Sequence, residues 1–286
     1  MFELAIVSGK GGTGKTSLLA AFTALSKDTV VADCDVDASN LHLLLEPEII
    51  KERPIIGSLK ADLDQEKCIK CDLCRQKCRF NAIDEDINIH PEICEGCGVC
   101  EFICPVDAIE LVECEAGLLT ISKTRFGKFS HVKMYSGEEG SGKLVTAVRK
   151  QARDIAESEG MDTILVDGPP GIGCPVIASL TGADLAVIVC ETSLSGLHDL
   201  KRVNILAEKM DVPVAICINK SDVNNQIKSD IEAYASELSI PVLGEVPYSL
   251  DFVDSMLACK SIVEWDTPLR ETVIDIWNNI EEMLRP

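Results

Sequence analysis

Residues 7–19 read VSGKGGTGKTSLL, and the reading of this stretch decides the fold. Gly9-Lys10-Gly11-Gly12-Thr13-Gly14-Lys15-Thr16 fits G-x-x-x-x-G-K-[ST]. The apolar run Phe2–Val7 before it has the length of a buried strand, and Thr16–Leu25 after it reads as a helix. Strand, glycine-rich loop and helix in that order predict a phosphate-binding loop. Its backbone N–H groups turn inward around phosphates, and the helix N-terminus adds partial positive charge. Gly9, Gly11, Gly12, Thr13, Gly14, Lys15, Thr16 and Ser17 are the expected contacts. Lys15 is expected to reach the β- and γ-phosphates and the Thr16 hydroxyl to ligate Mg²⁺. One lysine suffices for this, so Lys10 requires a separate explanation.

Working outward, the second half of the chain keeps one rhythm. Thr163–Asp167, Leu185–Cys190, Pro213–Asn219 and Pro241–Val246 are apolar runs of strand length. Ser195–Lys209, Asn224–Leu238 and Leu250–Lys260 carry helical spacing between and after them, as does Ser141–Glu159 before them. Thr29–Asp33 is a further strand, Glu46–Ile56 a polar link, and Ala116–Met134 a hairpin. Continuous apolar strands alternating with helices predict an α/β fold, with a mostly parallel, doubly wound sheet covered by helices on both faces. The expected partition is 1–56 and 116–286 for this domain, interrupted by a small α+β insert at 57–115.

Magnesium needs carboxylates. Asp33 and Asp35 follow the second strand, and Asp167 ends VDGPPG at the carboxyl end of another, where open α/β sheets bind ligands. Thr16, Asp35 and Asp167 are the expected Mg²⁺ ligands. The glycines Gly168 and Gly171 provide mobility for a loop that senses the γ-phosphate. For the base, Asn219 and Asp222 in ICINKSD resemble an N-K-x-D motif. Asn219, Pro247 and Tyr248 are candidate base contacts, although Asn-Lys-Ser-Asp serves equally as a turn and helix cap.

Lys10, together with DCDVDASNL and VDGPPGIG, resembles the MinD/ParA group of P-loop ATPases, related to the nitrogenase iron protein and the Mrp-type iron–sulfur carriers. The resemblance implies ATP as the nucleotide and a dimer formed on ATP binding, with itself or with a paralogue. It makes Lys10 the signature lysine that reaches the partner subunit's nucleotide, as an arginine finger does. It makes Asp35 the residue that positions the attacking water, so Lys10, Lys15 and Asp35 are the expected catalytic set.

Cys68, Cys71, Cys74 and Cys78 in CIKCDLCRQKC, and Cys94, Cys97, Cys100 and Cys104 in CEGCGVCEFICP, each follow C-x₂-C-x₂-C-x₃-C. This is the spacing of bacterial two-cluster ferredoxins, in which the fourth cysteine of each run ligates the other cluster. The expected ligand sets are Cys68, Cys71, Cys74 and Cys104 for one [4Fe–4S] cluster, and Cys94, Cys97, Cys100 and Cys78 for the second. Zinc is the rival metal, and it does not call for eight thiolates in this interlocked order. Arg79 stands where the family pattern often has proline, a departure expected to alter the potential or shielding of the nearby cluster but not its binding. Of the six other cysteines, Cys190 and Cys217 are expected in the core, while Cys174 follows the γ-phosphate loop. Gly140–Lys143 is not a second phosphate loop, because Leu144 occupies the Mg²⁺-ligand position.

The 286 residues carry 47 acids against 27 bases, a net charge of −20, which disfavours nucleic acid and anionic membranes. Lys123, Arg125, Lys128 and Lys133 form a local basic stretch. No run approaches the roughly 18 apolar residues of a span, and no secretory leader is legible. The expected location is cytoplasmic, where thiols bind metal rather than pair. In TVIDIWNNIEEMLRP the apolar stripe Val273, Ile276, Trp277, Ile280 and Leu284 faces Asp275, Glu281 and Glu282, so this helix is expected on the sheet rather than on a bilayer. The implied function couples Mg·ATP hydrolysis to electron transfer toward a redox partner. The alternative is a carrier that delivers a metallocofactor to a client protein.

Overall fold

In the computed structural model, which describes residues 1–285, the phosphate-binding stretch joins a buried strand to a buried helix. Strand β1 (Phe2–Ser8) leads into α1 (Lys15–Leu25), and β2 (Thr29–Asp33) and the short α2 (His42–Leu45) follow. Strands β3 (Glu48–Leu63) and β4 (Ile109–Thr124) bracket the cysteine runs, which carry only the one-turn helices α3 (Leu73–Lys77) and α4 (Val99–Phe102). After β5 (Gly127–Met134) and α5 (Gly142–Glu159) come β6 (Thr163–Pro170), α6 (Cys174–Leu180), β7 (Leu185–Glu191) and α7 (Leu194–Glu208). The remaining elements are β8 (Val214–Asn219), α8 (Asn225–Glu237), β9 (Val242–Val246), α9 (Asp251–Leu257) and α10 (Leu269–Leu284).

The nine strands run in the order β3-β4-β5-β2-β6-β1-β7-β8-β9. From β5 to β9 every neighbouring pair is parallel, and β1 lies between β6 and β7. This centres the carboxyl ends of β1, β2 and β6 on one edge and brings Asp33 into register with Asp167. The predicted polar link at Glu46–Ile56 is instead the start of β3. Ile49, Ile50, Ile55 and Ile56 supply β-branched side chains. Pro54, which cannot donate to a ladder, is tolerated because β3 is the edge strand.

Contacts divide the chain into two compact units. One contains Met1–Glu52, Leu119–Val132 and the chain from Gly140 onward; the other contains Arg53–Leu118 and Lys133–Glu139. In the larger unit α1 and α10 pack side by side on the sheet. Phe22 stacks on Trp277 at a centroid separation of 5.6 Å, and Val273, Ile276 and Ile280 are buried beside it. Each such side chain contributes roughly 1.5–3 kcal/mol on burial, which fixes the final helix on the sheet. On the opposite side buried Glu3 is held by Arg149 and Arg153. Arg149 also donates to the carbonyls of Ala178 and Thr181, so one ion network links β1, α5 and the end of α6. Among the described residues no helix is long and apolar enough to cross a membrane.

Candidate functional site

The loop after β1 is shaped by Gly12 and Gly14, at φ +79° and +91°. A Cβ on Gly14 would lie 2.2 Å from Asn219 Nδ2 as well as in a left-handed conformation. This close approach exists because Asn219, at the end of β8, braces the loop. Its Nδ2 donates to the Thr13 carbonyl at 2.6 Å, and its Oδ1 accepts from Lys220 N at 2.9 Å.

Lys15 opens α1 with its ammonium buried. Its Nζ is 2.6 Å from Asp167 Oδ1, 3.4 Å from Asp35 Oδ2 and 3.3 Å from Thr16 Oγ1. The Thr16 hydroxyl donates to Asp167 Oδ2 at 2.9 Å. The predicted lysine, hydroxyl and two carboxylates therefore form one connected group. Burial alone pulls the Lys15 pKa down, but Asp167 and Asp35 outweigh it and leave it raised. Burial raises Asp35, against the pull of Lys15. Burial and then the charge of Asp167 push Asp33 up to about 7. Asp33 does not join Lys15: it accepts from Asp35 N at 3.1 Å and from Ser39 Oγ at 2.6 Å, which folds the 35–39 turn that presents Asp35. One hydroxyl and two carboxylates suit Mg²⁺, which takes few protein oxygens and fills its octahedron from water and phosphate.

The loop, Asp35 and Asn40 line a cleft of about 570 Å³. Its apolar wall is built by Leu43, Val253, Met256 and Leu257. The predicted base contacts Asn219, Pro247 and Tyr248 do not line it. Asn219 is committed to the loop backbone, and Tyr248 is exposed, with its N–H donating to Asp222 Oδ1 at 2.7 Å. The α9 residues were legible only as an apolar i, i+3, i+4 stripe, a pattern that ordinarily marks core.

Lys10 has a different set of partners from Lys15. Its ammonium lies 2.5 Å from Glu191 Oε1, and it donates to Ser195 Oγ at 2.9 Å and Ser193 Oγ at 3.2 Å. Lys220 takes the other oxygen of Glu191 at 2.9 Å and also donates to the Gly12 carbonyl. Glu191 thus bridges two lysines that flank the loop. Burial raises its pKa, but the hydrogen bonds from Lys10 and Lys220 prevail and bring it down to about 2. Lys220 is the lysine of the N-K-x-D stretch, and Glu191, Ser193 and Ser195 belong to ETSLSGLHDL, a tract to which the sequence assigned no chemical role. Two of the four bases of the predicted basic stretch are paired: Arg125 with Glu46 and Glu264, and Lys128 with Glu159.

In the smaller unit the eight cysteines separate into two apolar cavities. One is lined by Cys68, Cys71, Cys74 and Cys104, the other by Cys78, Cys94, Cys97 and Cys100. These are the two predicted sets, with the fourth cysteine of each run exchanged. The runs are offset by 26 residues, and their backbones repeat. Lys70 and Gly96, Asp72 and Gly98, and Asn81 and Asp107 all have positive φ. Backbone N–H groups of Ala61, Lys70 and Ala108 donate to the sulfurs of Cys94, Cys68 and Cys104 at 3.4, 3.4 and 3.2 Å. Among the described residues no three His, Cys, Asp or Glu side chains close to single-ion distance; the thiols ring a void instead. Cys190 and Cys217 are buried in strands as expected, whereas Cys174 is exposed.

The MinD cell division ATPase of Pyrococcus furiosus superposes with a TM-score of 0.61 at 18 % identity, covering 99 % of both chains. The Pyrococcus horikoshii septum site-determining protein MinD, complexed with Mg-ADP, gives 0.64 at 17 %, covering 99 % of this chain and 97 % of that one. In sequence, an uncharacterised protein of Methanocaldococcus jannaschii is 32 % identical over 289 residues, covering 99 % of this chain and 98 % of its own length. A 54-residue stretch is 43 % identical to the pyruvate synthase subunit PorD of Methanothermobacter marburgensis, covering 19 % of this chain and 67 % of that subunit. The family model for the CobQ/CobB/MinD/ParA nucleotide-binding domain matches residues 4–261. With a parallel sheet, a glycine-rich loop at its centre and a match across most of its length, the chain belongs to the CobQ/CobB/MinD/ParA nucleotide-binding family.

Proposed function

We propose that this protein is an ATPase that couples Mg·ATP binding and hydrolysis to electron transfer through two [4Fe–4S] clusters. The observation that carries it is the sorting of eight cysteines into two cavities of four, in the interlocked sets of a two-cluster ferredoxin. A void ringed by thiols suits a polynuclear cluster better than one tetrahedral ion. The similarity to PorD over one short stretch is in keeping with the iron–sulfur part of this reading. Cys68, Cys71, Cys74 and Cys104 would hold one cluster, and Cys94, Cys97, Cys100 and Cys78 the other. When bound, these groups supply reversible one-electron storage.

The chain's own residues do the rest. Lys15 neutralises the β- and γ-phosphates, and the loop N–H groups cradle them. Thr16, Asp35 and Asp167 would hold Mg²⁺. Asp35, carried on the turn that Asp33 and Ser39 close, would orient the attacking water. Lys10 leaves Glu191 for the nucleotide of a second subunit, so closure exchanges one carboxylate partner for the more highly charged phosphates. The apolar wall at Val253, Met256 and Leu257 takes the base.

The test is an EPR-monitored redox titration of anaerobically purified protein with and without MgATP. A shift in potential or spectrum on adding MgATP, lost in Lys15→Ala, supports coupling. Identical titrations in every condition overturn it. Release of iron and sulfide to an apo-acceptor on ATP addition favours the carrier instead.

A further inference from the structure

We propose that the first cysteine run is the docking face for an acidic one-electron carrier protein, steered there by Lys70, Lys77 and Arg79. This rests on the cluster reading above. The internal repeat provides the control. Residues 67–79 and 93–105 share cysteine spacing and left-handed backbone positions, so the demands of holding a cluster are the same in both. Their charges are not. The first run carries Lys67, Lys70, Arg75, Lys77 and Arg79 against Asp72 alone; the second carries Glu95 and Glu101 and no base. Cluster binding cannot account for a difference between two copies of one scaffold.

Local pairing removes two of the five bases. Lys67 lies 3.2 Å from Asp64, and Arg75 forms a two-pronged pair with Asp72. Lys70, Lys77 and Arg79 are exposed, and none has an ion pair among the described residues. Their equivalents in the second run are Gly96, Ile103 and Pro105. Between and beside them Ile69, Leu73 and Phe80 are 61, 41 and 40 % exposed, and the Cys71 ligand is exposed as well. Unpaired positive charge around exposed apolar side chains next to a metal ligand is what a transient redox interface requires.

The occupant follows from charge. In a chain of net charge −20 an acidic carrier is repelled almost everywhere, so one basic run both attracts and orients it. Three free bases are few for a nucleic acid, whose binding scales with the number of phosphates neutralised. In the encounter one electron passes from whichever partner is reduced to the other. No bond forms or breaks, and no proton moves.

The experiment uses the anaerobically purified full chain and, as probe, a small acidic two-[4Fe–4S] ferredoxin. Its Kd is measured by calorimetry and its electron exchange by stopped flow, at low and high salt. The expected result is binding that weakens about tenfold or more as salt screens the pair, and a Lys70→Glu/Lys77→Glu/Arg79→Glu variant that binds about tenfold more weakly at low salt. The variant's visible absorption must match wild type; if it does not, Lys70→Gln/Lys77→Gln replaces it, with a smaller loss expected. Binding unchanged in the variants, strengthened by salt, or stronger for a basic cytochrome c or a single-stranded oligonucleotide overturns the proposal. Iron and sulfide analysis separates the two failures. Absent clusters sink the coupling reading, whereas clusters with salt-insensitive ferredoxin binding sink the docking face alone.

Discussion

At the scale of single residues, the site is governed by one buried ammonium among carboxylates. Lys15 Nζ is within 3.4 Å of both Asp35 and Asp167, so removing it leaves two carboxylates facing each other. Breaking a buried pair of this kind costs about 3–5 kcal/mol. Lys15→Ala is therefore expected to lose measurable MgATP binding in calorimetry and to melt earlier in metal-free buffer. Added Mg²⁺ should restore part of the melting temperature, because a cation replaces the missing charge. His131 gives one part of the pH dependence. It stacks on Phe129, and burial lowers its pKa to about 4. The unfolded chain, with an ordinary value near 6.5, takes up this proton first as pH falls. The stabilisation is thus present above about pH 6.5 and is lost as pH drops toward 4, on the order of 2 kcal/mol at pH 5. Asp33, pushed up to about 7, titrates in the opposite sense over this range, so the readout is the difference between the two proteins: on going from pH 7.5 to pH 5 the melting temperature of His131→Gln should rise relative to that of wild type.

At the scale of elements, the loop after β1 is only as well positioned as β8 makes it. Asn219→Ala strands the Thr13 carbonyl and the Lys220 N–H, a cost of about 1–3 kcal/mol. If Asn219 braces the loop, affinities for ATP and for inorganic tripolyphosphate fall together. If it reads the base, ATP alone weakens. Met256→Glu makes the opposite test on α9: it places a charge in the apolar wall and should weaken ATP about tenfold, some 1.4 kcal/mol, with a smaller effect on tripolyphosphate.

At the scale of the whole molecule, the two units differ in what holds them. The larger has a continuous core from Leu4 and Phe22 to Trp277 and Ile280. The smaller buries Ala61, Ala82, Ile83, Ile87 and Ile109 with Cys74 and Cys94, too little apolar surface to hold a small unit without staples. With clusters bound as proposed, its folding free energy is expected to come largely from the metal. Chelation should open protease sites within 53–118 and leave the nucleotide-binding unit resistant, as read by mass spectrometry of the fragments. Equal resistance of both units after metal removal would contradict this.

How much of this was legible depended on the range of the interaction. The phosphate loop, the strand-end motifs that carry Asp35 and Asp167, and each cysteine run are local patterns, in which residue type and spacing carry the chemistry because the backbone conformation is set by neighbours in sequence. The parallel sheet was legible for the same reason, from apolar runs of strand length. The edge strand β3 was not, since Pro54 and charged residues mask a segment whose pairing lies elsewhere in the chain. Neither was the assignment of Asn219 to the loop, of Glu191 to Lys10, or of α9 to the cleft. Those pairs are separated by 206 and 181 residues in the first two cases. Such pairings depend on which strand ends the tertiary fold brings to one edge of the sheet. The sequence by itself determined the glycine-rich loop, the strand-end carboxylates and the spacing of the eight cysteines, because these are set by residue type and near neighbours; only the tertiary structure decided which polar residues brace the loop and which stand open.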